Sequence, residues 1–311
     1  MTYTQLGPSG LTVSTVGLGC NNFGARMPDE DVPKVVHAAI DAGITLFDTA
    51  DVYGNVGGSE TLLGQALGDR RSEVVIATKF GSDMQGANGP DWGARGSRRY
   101  IRIAVESSLR RLGTDWIDLY QLHSPDPHTP IEETLAALDE LVQEGKVRYL
   151  GSSNLAGWQV VDADWIARTS GYSGFVTAQN EYSWLNRGIE AELVPALAHT
   201  GQSLLPYFPL ARGLLTGKYR RGEGAPSGTR LAQQTAPLER ANFDVIEAIE
   251  KFAADHGVTV LQVAIGGLAA MPTVGSVIAG ATKVEQVEQN VAAGLWSPSE
   301  EDLAELQRIT G

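Results

Sequence analysis

At 311 residues, with 42% hydrophobic content and 36 glycines, the chain can form one large globule with many short loops or two domains. A formal net charge of −13 argues against general binding to nucleic acid or to an anionic membrane surface, since both select basic patches. The single cysteine, Cys20, excludes an internal disulfide, and no window approaches the roughly 18 consecutive apolar residues that span a bilayer. The N-terminus lacks the basic start and apolar run of a secretion signal, so a cytoplasmic protein is expected.

Residues 3–6 and 12–16 flank Gly7-Pro8-Ser9-Gly10, which predicts a small hairpin lid before the fold proper. From there strand and helix patterns alternate. Strand 16–19 is followed by helix 33–42, strand 44–49 by helix 59–67, and strand 74–78 by a glycine-rich loop over 81–96 and helix 99–112. Strand 117–122 leads through a proline-rich turn to helix 131–144. Strands 147–151, 175–179 and 203–207 then alternate with helices 157–170 and 188–200. A long loop over 212–237 precedes helical patterns at 242–256 and 260–271, strand 275–279, helix 284–293 and a C-terminal helix over 299–309. Eight strands separated by helices, with no break in composition, predict one closed (β/α)8 barrel with an N-terminal β-hairpin and extra C-terminal helices. An open doubly wound sheet is the alternative. Its phosphate loop fails here, because Asn22 stands where the third glycine of G-x-G-x-x-G belongs.

Other signatures fail too. The stretch from Gly213 to Lys218 is one residue short of a P-loop, no H-E-x-x-H or G-x-S-x-G occurs, and one cysteine cannot build a structural zinc site, so no metal is expected. Four polar residues instead fall at or just after consecutive strand ends: Asp48, Tyr53, Lys79 and His123. In a barrel, that is the rim where chemistry is presented. Taken singly, Asp48 could cap a turn, Tyr53 could be a loop aromatic, Lys79 a solvated lysine and His123 a structural histidine. Those readings do not predict all four on one rim. A lysine ammonium beside a phenol should lower its pKa, and a carboxylate would hold the ammonium in place. Tyr53 then becomes a general acid, with neutral His123 donating a second hydrogen bond to the same substrate oxygen. Such a set suits protonation of an oxygen as a carbonyl is reduced by hydride.

Phe47-Asp48-Thr49-Ala50 through Tyr53-Gly54, Ser59-Glu60, Ala77-Thr78-Lys79, Ser108 to Leu112, Asp115 to His123, Gly151 to Asn154 and Gln179 to Ser183 carry a resemblance along nearly the whole chain. The sequence resembles the aldo-keto reductases. The resemblance implies a barrel enzyme that reduces an aldehyde or ketone with NADPH, a catalytic tetrad of Asp48, Tyr53, Lys79 and His123, and a small-molecule carbonyl substrate. It also implies that Ser153, Asn154 and Gln179 hold the nicotinamide carboxamide, that Tyr207 stacks on the ring, and that Gly19, Cys20 and Asn21 border the cofactor. Leu210, Arg212, Gly213, Leu214 and Lys218 match a loop over the pyrophosphate. Gly280, Thr282, Lys283, Gln286 and Asn290 match the adenosine-phosphate site, where a helix N-terminus and a lysine favour an anion. Phe23, Trp92 and Trp184 are expected on the substrate rim, and the 212–237 loop is expected to order on cofactor binding. Two alternatives stand beside this reading: a cofactor-binding, redox-sensing regulatory subunit with little turnover, and an aldolase-type barrel using Lys79 as a Schiff-base amine.

Overall fold

The computed structural model describes residues 1–226, 230–233 and 235–311, so four positions of the expected 212–237 loop lie outside the described residues. The chain opens with β1 (Tyr3–Gln5) and β2 (Thr12–Ser14), an antiparallel pair. Eight parallel strands follow: β3 (Val16–Gly19), β4 (Leu46–Asp48), β5 (Val75–Phe80), β6 (Ile117–Leu122), β7 (Val147–Ser153), β8 (Phe175–Glu181), β9 (Ser203–Tyr207) and β10 (Val277–Gly280). They close into a barrel in chain order, with β10 pairing β3 and β9. The expected (β/α)8 barrel with a hairpin and additional C-terminal helices is therefore the fold.

Strand register decides which residues share the lumen, because side chains alternate between the two faces of a strand. Lys79 lies opposite Gln121, Gln121 opposite Gly151, and Ser153 opposite Gln179. One parity thus carries Leu46, Ala77, Leu119, Leu205 and Ile278 into a single apolar layer. Leu6, Leu11 and Val13 of the hairpin join that layer, and Ser14 exchanges hydrogen bonds with Thr45 at the start of β4. The hairpin is consequently a floor under the strand N-termini. The expectation of a lid is corrected: its three apolar side chains can be buried only against the lumen residues nearest that end.

The opposite parity faces the helices α1 (Val32–Asp41), α2 (Tyr53–Leu67), α3 (Arg98–Leu112), α4 (Ile131–Gln143), α5 (Gly157–Ser170) and α6 (Leu193–Thr200), where the larger core lies. The start of α2 is not helical. Gly54, Asn55, Val56 and Gly57 all have positive φ, and a Cβ on Gly54 would lie 2.5 Å from the Phe23 carbonyl oxygen. Only glycine fits there without moving the loop after β3. The helix expected over 188–200 divides into a 3-10 turn, Gly188–Ala191, and α6, because Pro195 is tolerated in the first turn of a helix but not in its interior.

Beyond β9 the chain forms a 3-10 turn (Ala211–Thr216), the short helices α7 (Arg230–Gln233) and α8 (Ala236–Glu239), and the longer α9 (Phe243–Asp255). Next, α10 (Val260–Gln262) runs into a π-turn, Val263–Gly267; α11 (Val284–Ala293) and α12 (Glu300–Thr310) complete the helices. The π-turn accounts for the Gly266-Gly267 pair. A Cβ on Gly266 would sit 2.7 Å from the carbonyl oxygens of Ala293 and Trp296, and one on Gly267 would sit 3.1 Å from Trp184 Nε1. That indole nitrogen donates to the Val263 carbonyl at 2.8 Å. The buried indole N–H thereby finds the acceptor that its burial requires.

Candidate active site

Lys79 is fully buried, and its ammonium donates to both carboxylate oxygens of Asp48 at 2.8 Å and to the Thr49 carbonyl at 2.8 Å. Three acceptors satisfy the three N–H donors of one ammonium, as a buried charge requires. Asp48 also accepts from Gln179 Nε2 at 2.7 Å and, more weakly, from Gln121 Nε2 at 3.4 Å. Gln121 was not singled out from the sequence, yet the period-2 pattern of β6 places it on the same face as Leu119, two residues before His123.

The pair is braced from behind. Thr49 and Thr78, each one residue along from Asp48 and Lys79, face the helices, where Thr49 Oγ1 and Ser59 Oγ lie 2.8 Å apart and Thr78 Oγ1 donates to Glu60 at 2.6 Å. Ser59 also donates to the Cys20 carbonyl, and Arg111 from α3 donates to the other Glu60 oxygen at 2.7 Å. Ser59-Glu60 thereby ties α2 to three strand ends at once.

The Lys79 nitrogen lies 5.0 Å from the Tyr53 ring centroid and within hydrogen-bonding influence of its hydroxyl. Burial raises the Tyr53 phenol above its usual value; Lys79 opposes this and Asp48 adds to it, so the net direction is up. The expectation of a phenol made more acidic by its lysine is corrected, because loss of solvent outweighs the ammonium. Tyr53 is therefore firmly protonated at neutrality. The ammonium itself is penalised by burial, but Asp48 and Tyr53 together leave it more basic than a free lysine. His123 packs edge-on against Tyr53 with ring centroids 5.7 Å apart; burial, then Lys79, push its pKa down to about 3, so the imidazole is neutral. Its Nδ1 is 2.9 Å from the Ser82 hydroxyl, a partner the sequence reading missed because Ser82 lies in an irregular loop.

Tyr53, Asp48 and His123 open into a cavity of about 990 Å³ at the C-terminal end of the barrel. Its wall includes fourteen further expected positions: Gly19, Asn21, Ser153, Asn154, Gln179, Tyr207, Leu210, Arg212, Gly213, Lys218, Gly280, Thr282, Lys283 and Gln286. Asn22, Arg26, Phe208 and Thr216, which were not expected, also line it. Asn154, with φ 59°, donates to the His123 carbonyl at 3.0 Å and accepts from the Tyr207 hydroxyl at 2.8 Å, and Ser153 Oγ donates to the Gln179 carbonyl at 2.8 Å. Phe208 and Arg212 on the wall, with Ala211 between them in the chain, likewise have positive φ, a concentration of backbone strain beside the cavity. Arg212 stacks on Phe208 with its guanidinium carbon 4.2 Å from the ring centroid and reaches Glu181 at 3.6 Å. At the far end, Gln286 Oε1 accepts from the Thr282 amide at 2.8 Å, just ahead of α11.

Besides the fully buried Lys79, six expected positions are not on this wall. Cys20 and Leu214 are buried behind it, and Asn290 turns inward, 3.5 Å from the Gly280 carbonyl, so it does not share the cavity with Gln286. Phe23 and Trp184 are fully buried, and the rim assignment is corrected for both: Phe23 is core, and Trp184 is committed to Val263. Trp92 is 76% exposed, with the Arg99 guanidinium 4.5 Å from its ring centroid, and is also not part of the wall. Aromaticity alone did not separate packing from lining.

Of the ionisable residues on the wall, among the described residues, four carry positive charge, Arg26, Arg212, Lys218 and Lys283, and Asp48 is the one carboxylate. In a chain of net charge −13 this is a local reversal of sign, suited to a phosphorylated ligand. Among the described residues no group of acidic, histidine or cysteine side chains could hold a metal, and no helix is long and apolar enough to cross a membrane.

Residues 15–310 match the model of the Aldo/keto reductase family. Among similar proteins, an uncharacterized oxidoreductase, YrpG, of Bacillus subtilis (strain 168) is 37% identical, with 99% of this chain and 96% of that protein aligned. A probable voltage-gated potassium channel subunit beta of Oryza sativa subsp. japonica is 36% identical over 94% of this chain and 91% of its own length. Versiconal hemiacetal acetate reductase of Aspergillus parasiticus is 35% identical over 94% and 92%. Fold, motif positions and similarity over nearly the full length agree: the chain belongs to the aldo/keto reductase family of oxidoreductases.

Proposed function

We propose that this protein reduces an aldehyde or ketone to the alcohol with NADPH, with Tyr53 as general acid. The observation that carries this reading is the buried Lys79–Asp48 pair beside a protonated Tyr53, on a cavity whose other charged wall residues are cationic. Arg212, Lys218 and Lys283 suit the phosphates of a dinucleotide, while Ser153, Asn154 and Gln179 offer the donors and acceptors that a carboxamide needs. Tyr207 offers a ring face for stacking. When bound, the cofactor would supply a hydride.

The remaining steps belong to the chain. Tyr53 holds a proton that neither neutrality nor Lys79 removes, and gives it up only to a much stronger base such as an alkoxide. Lys79 then faces the phenolate and stabilises it, held in place by Asp48. Neutral His123 orients the substrate oxygen by a second hydrogen bond.

The test is a panel of aldehydes, ketones and sugar carbonyls with NADPH and NADH, followed at the dinucleotide absorbance band. Tyr53→Phe should lose nearly all turnover and keep cofactor affinity. Retained turnover in that variant removes Tyr53 from its role.

A second reading is favoured by the channel-subunit relatives: a regulatory protein that binds the cofactor and turns over little. Tight NADPH binding without dinucleotide oxidation by any carbonyl would select it.

A further inference from the structure

We propose that Ser82 is a positioning residue that fixes the tautomer of His123, keeping the imidazole proton on Nε2 so that the ring presents an N–H to the cavity. The inference rests on the reductase reading above and names a residue that it does not require.

Three tethers converge on His123. Its backbone N–H donates to the Phe80 carbonyl at 2.8 Å, which joins the loop after β6 to the end of β5. Its carbonyl accepts from Asn154 Nδ2 at 3.0 Å. Gly81, with φ 101°, turns the chain sharply after Phe80 and brings the next residue, Ser82, to 2.9 Å from Nδ1. With Nδ1 engaged, Nε2 is the ring nitrogen left without a protein partner among the described residues, on a side chain that lines the cavity beside Tyr53.

A neutral imidazole has one N–H and one bare nitrogen. His123 is neutral, so the position of its proton, not its charge, is the variable. A substrate carbonyl oxygen can only accept, so a bare Nε2 would face it lone pair to lone pair. The productive ring carries its proton on Nε2, and Nδ1 must then accept from something. A serine hydroxyl can rotate to donate, and no other donor to Nδ1 is found among the described residues. Ser82 is partly exposed, so water can supply its own remaining hydrogen bonds.

The substitutions sort by what they offer Nδ1. Ser82→Thr keeps a hydroxyl, Ser82→Ala offers nothing, and Ser82→Asp offers an acceptor that would draw the proton onto Nδ1. The experiment is ¹⁵N spectroscopy of the histidine side chains at neutral pH on the full chain. The five histidines are few enough to assign His123 by comparison with His123→Gln. Wild type and Ser82→Thr should show a protonated Nε2 and a bare Nδ1, Ser82→Ala a mixture, and Ser82→Asp the reverse. In turnover, Ser82→Ala should lose about tenfold in kcat, the size expected for one orienting hydrogen bond, with the KM for NADPH unchanged and recovery in Ser82→Thr.

A proton on Nδ1 in the wild type, or an unchanged tautomer and kcat in Ser82→Ala, overturns the proposal. Failure of the reductase reading looks different: the wild type oxidises no dinucleotide with any carbonyl, and the spectra alone then decide the tautomer.

Discussion

Lys79→Met keeps most of the side-chain volume and deletes its charge, so it isolates what the buried ammonium does. Asp48 is 4% exposed and would be left with Gln179 at 2.7 Å and Gln121 at 3.4 Å as its side-chain donors. Removing one partner of a buried ion pair costs about 3–5 kcal/mol. The short Gln179 bond places this case near the lower end, about 3 kcal/mol. Unfolding entropy of about 2 cal/mol/K per residue gives roughly 0.65 kcal/mol/K for 311 residues, so the melting temperature should fall by about 5 °C. Asp48→Asn in the same background removes the stranded carboxylate and should restore about 2 kcal/mol of that loss. Carbonyl reduction should fall by about 10²–10⁴-fold in both variants, because neither stabilises a Tyr53 phenolate. Scanning calorimetry and dinucleotide absorbance read the two effects separately. A double variant no more stable than Lys79→Met would mean that the ammonium does not serve Asp48, and the account of the site would fail.

Three other outcomes follow from the same geometry. Reduction should be flat with pH across neutrality and fall only as pH climbs past the raised Tyr53 value, since a deprotonated phenol has nothing to donate; an inflection near pH 6.5 would mean that His123 titrates in the free enzyme. Asp51 is fully buried, its carboxyl oxygens have no well-formed hydrogen bond among the described residues, and burial, then Glu60, raise its pKa. The folded state therefore holds that proton more tightly than the unfolded chain, and its contribution to stability is lost as pH rises from about 4 toward the raised value. Asp51→Asn should accordingly gain stability over wild type at pH 8 relative to pH 5, measured as the difference in melting temperature; equal differences at both pH values would count against a strained carboxyl. Gly266→Ala should destabilise more than Gly267→Ala, because its new methyl meets two backbone carbonyls and the other meets an indole that can shift by tenths of an ångström. Costs of about 1–3 kcal/mol are expected for such overpacking, and the reverse order in denaturant titration would refute the packing account.

Much of this molecule was legible because strands advertise themselves twice. Short apolar runs such as 74–78 and 117–122 set the alternation that closes the barrel, and the residues that follow them, Lys79 and His123, then fall on its rim by geometry alone. What stayed hidden depends on contacts distant in sequence. Trp184 reads as a rim aromatic until Val263, 79 residues away, claims its nitrogen. Gly266-Gly267 falls inside the expected helix 260–271, and its reason shows only when Ala293 and Trp296 are seen pressed against Gly266. Ser82 carries no periodic signal, and the sign of the Tyr53 shift turns on how much solvent the fold removes.

The floor of the barrel has a consequence for how the molecule comes together. Leu6, Leu11 and Val13 leave the ribosome well before two of the residues they cover, Leu205 and Ile278, which belong to β9 and β10. The opening segment must wait, apolar and uncovered, until the ring is complete. A polypeptide trimmed to residues 15–310 would keep every strand of the barrel and every wall residue of the cavity, yet water would enter from below toward the buried ion pair.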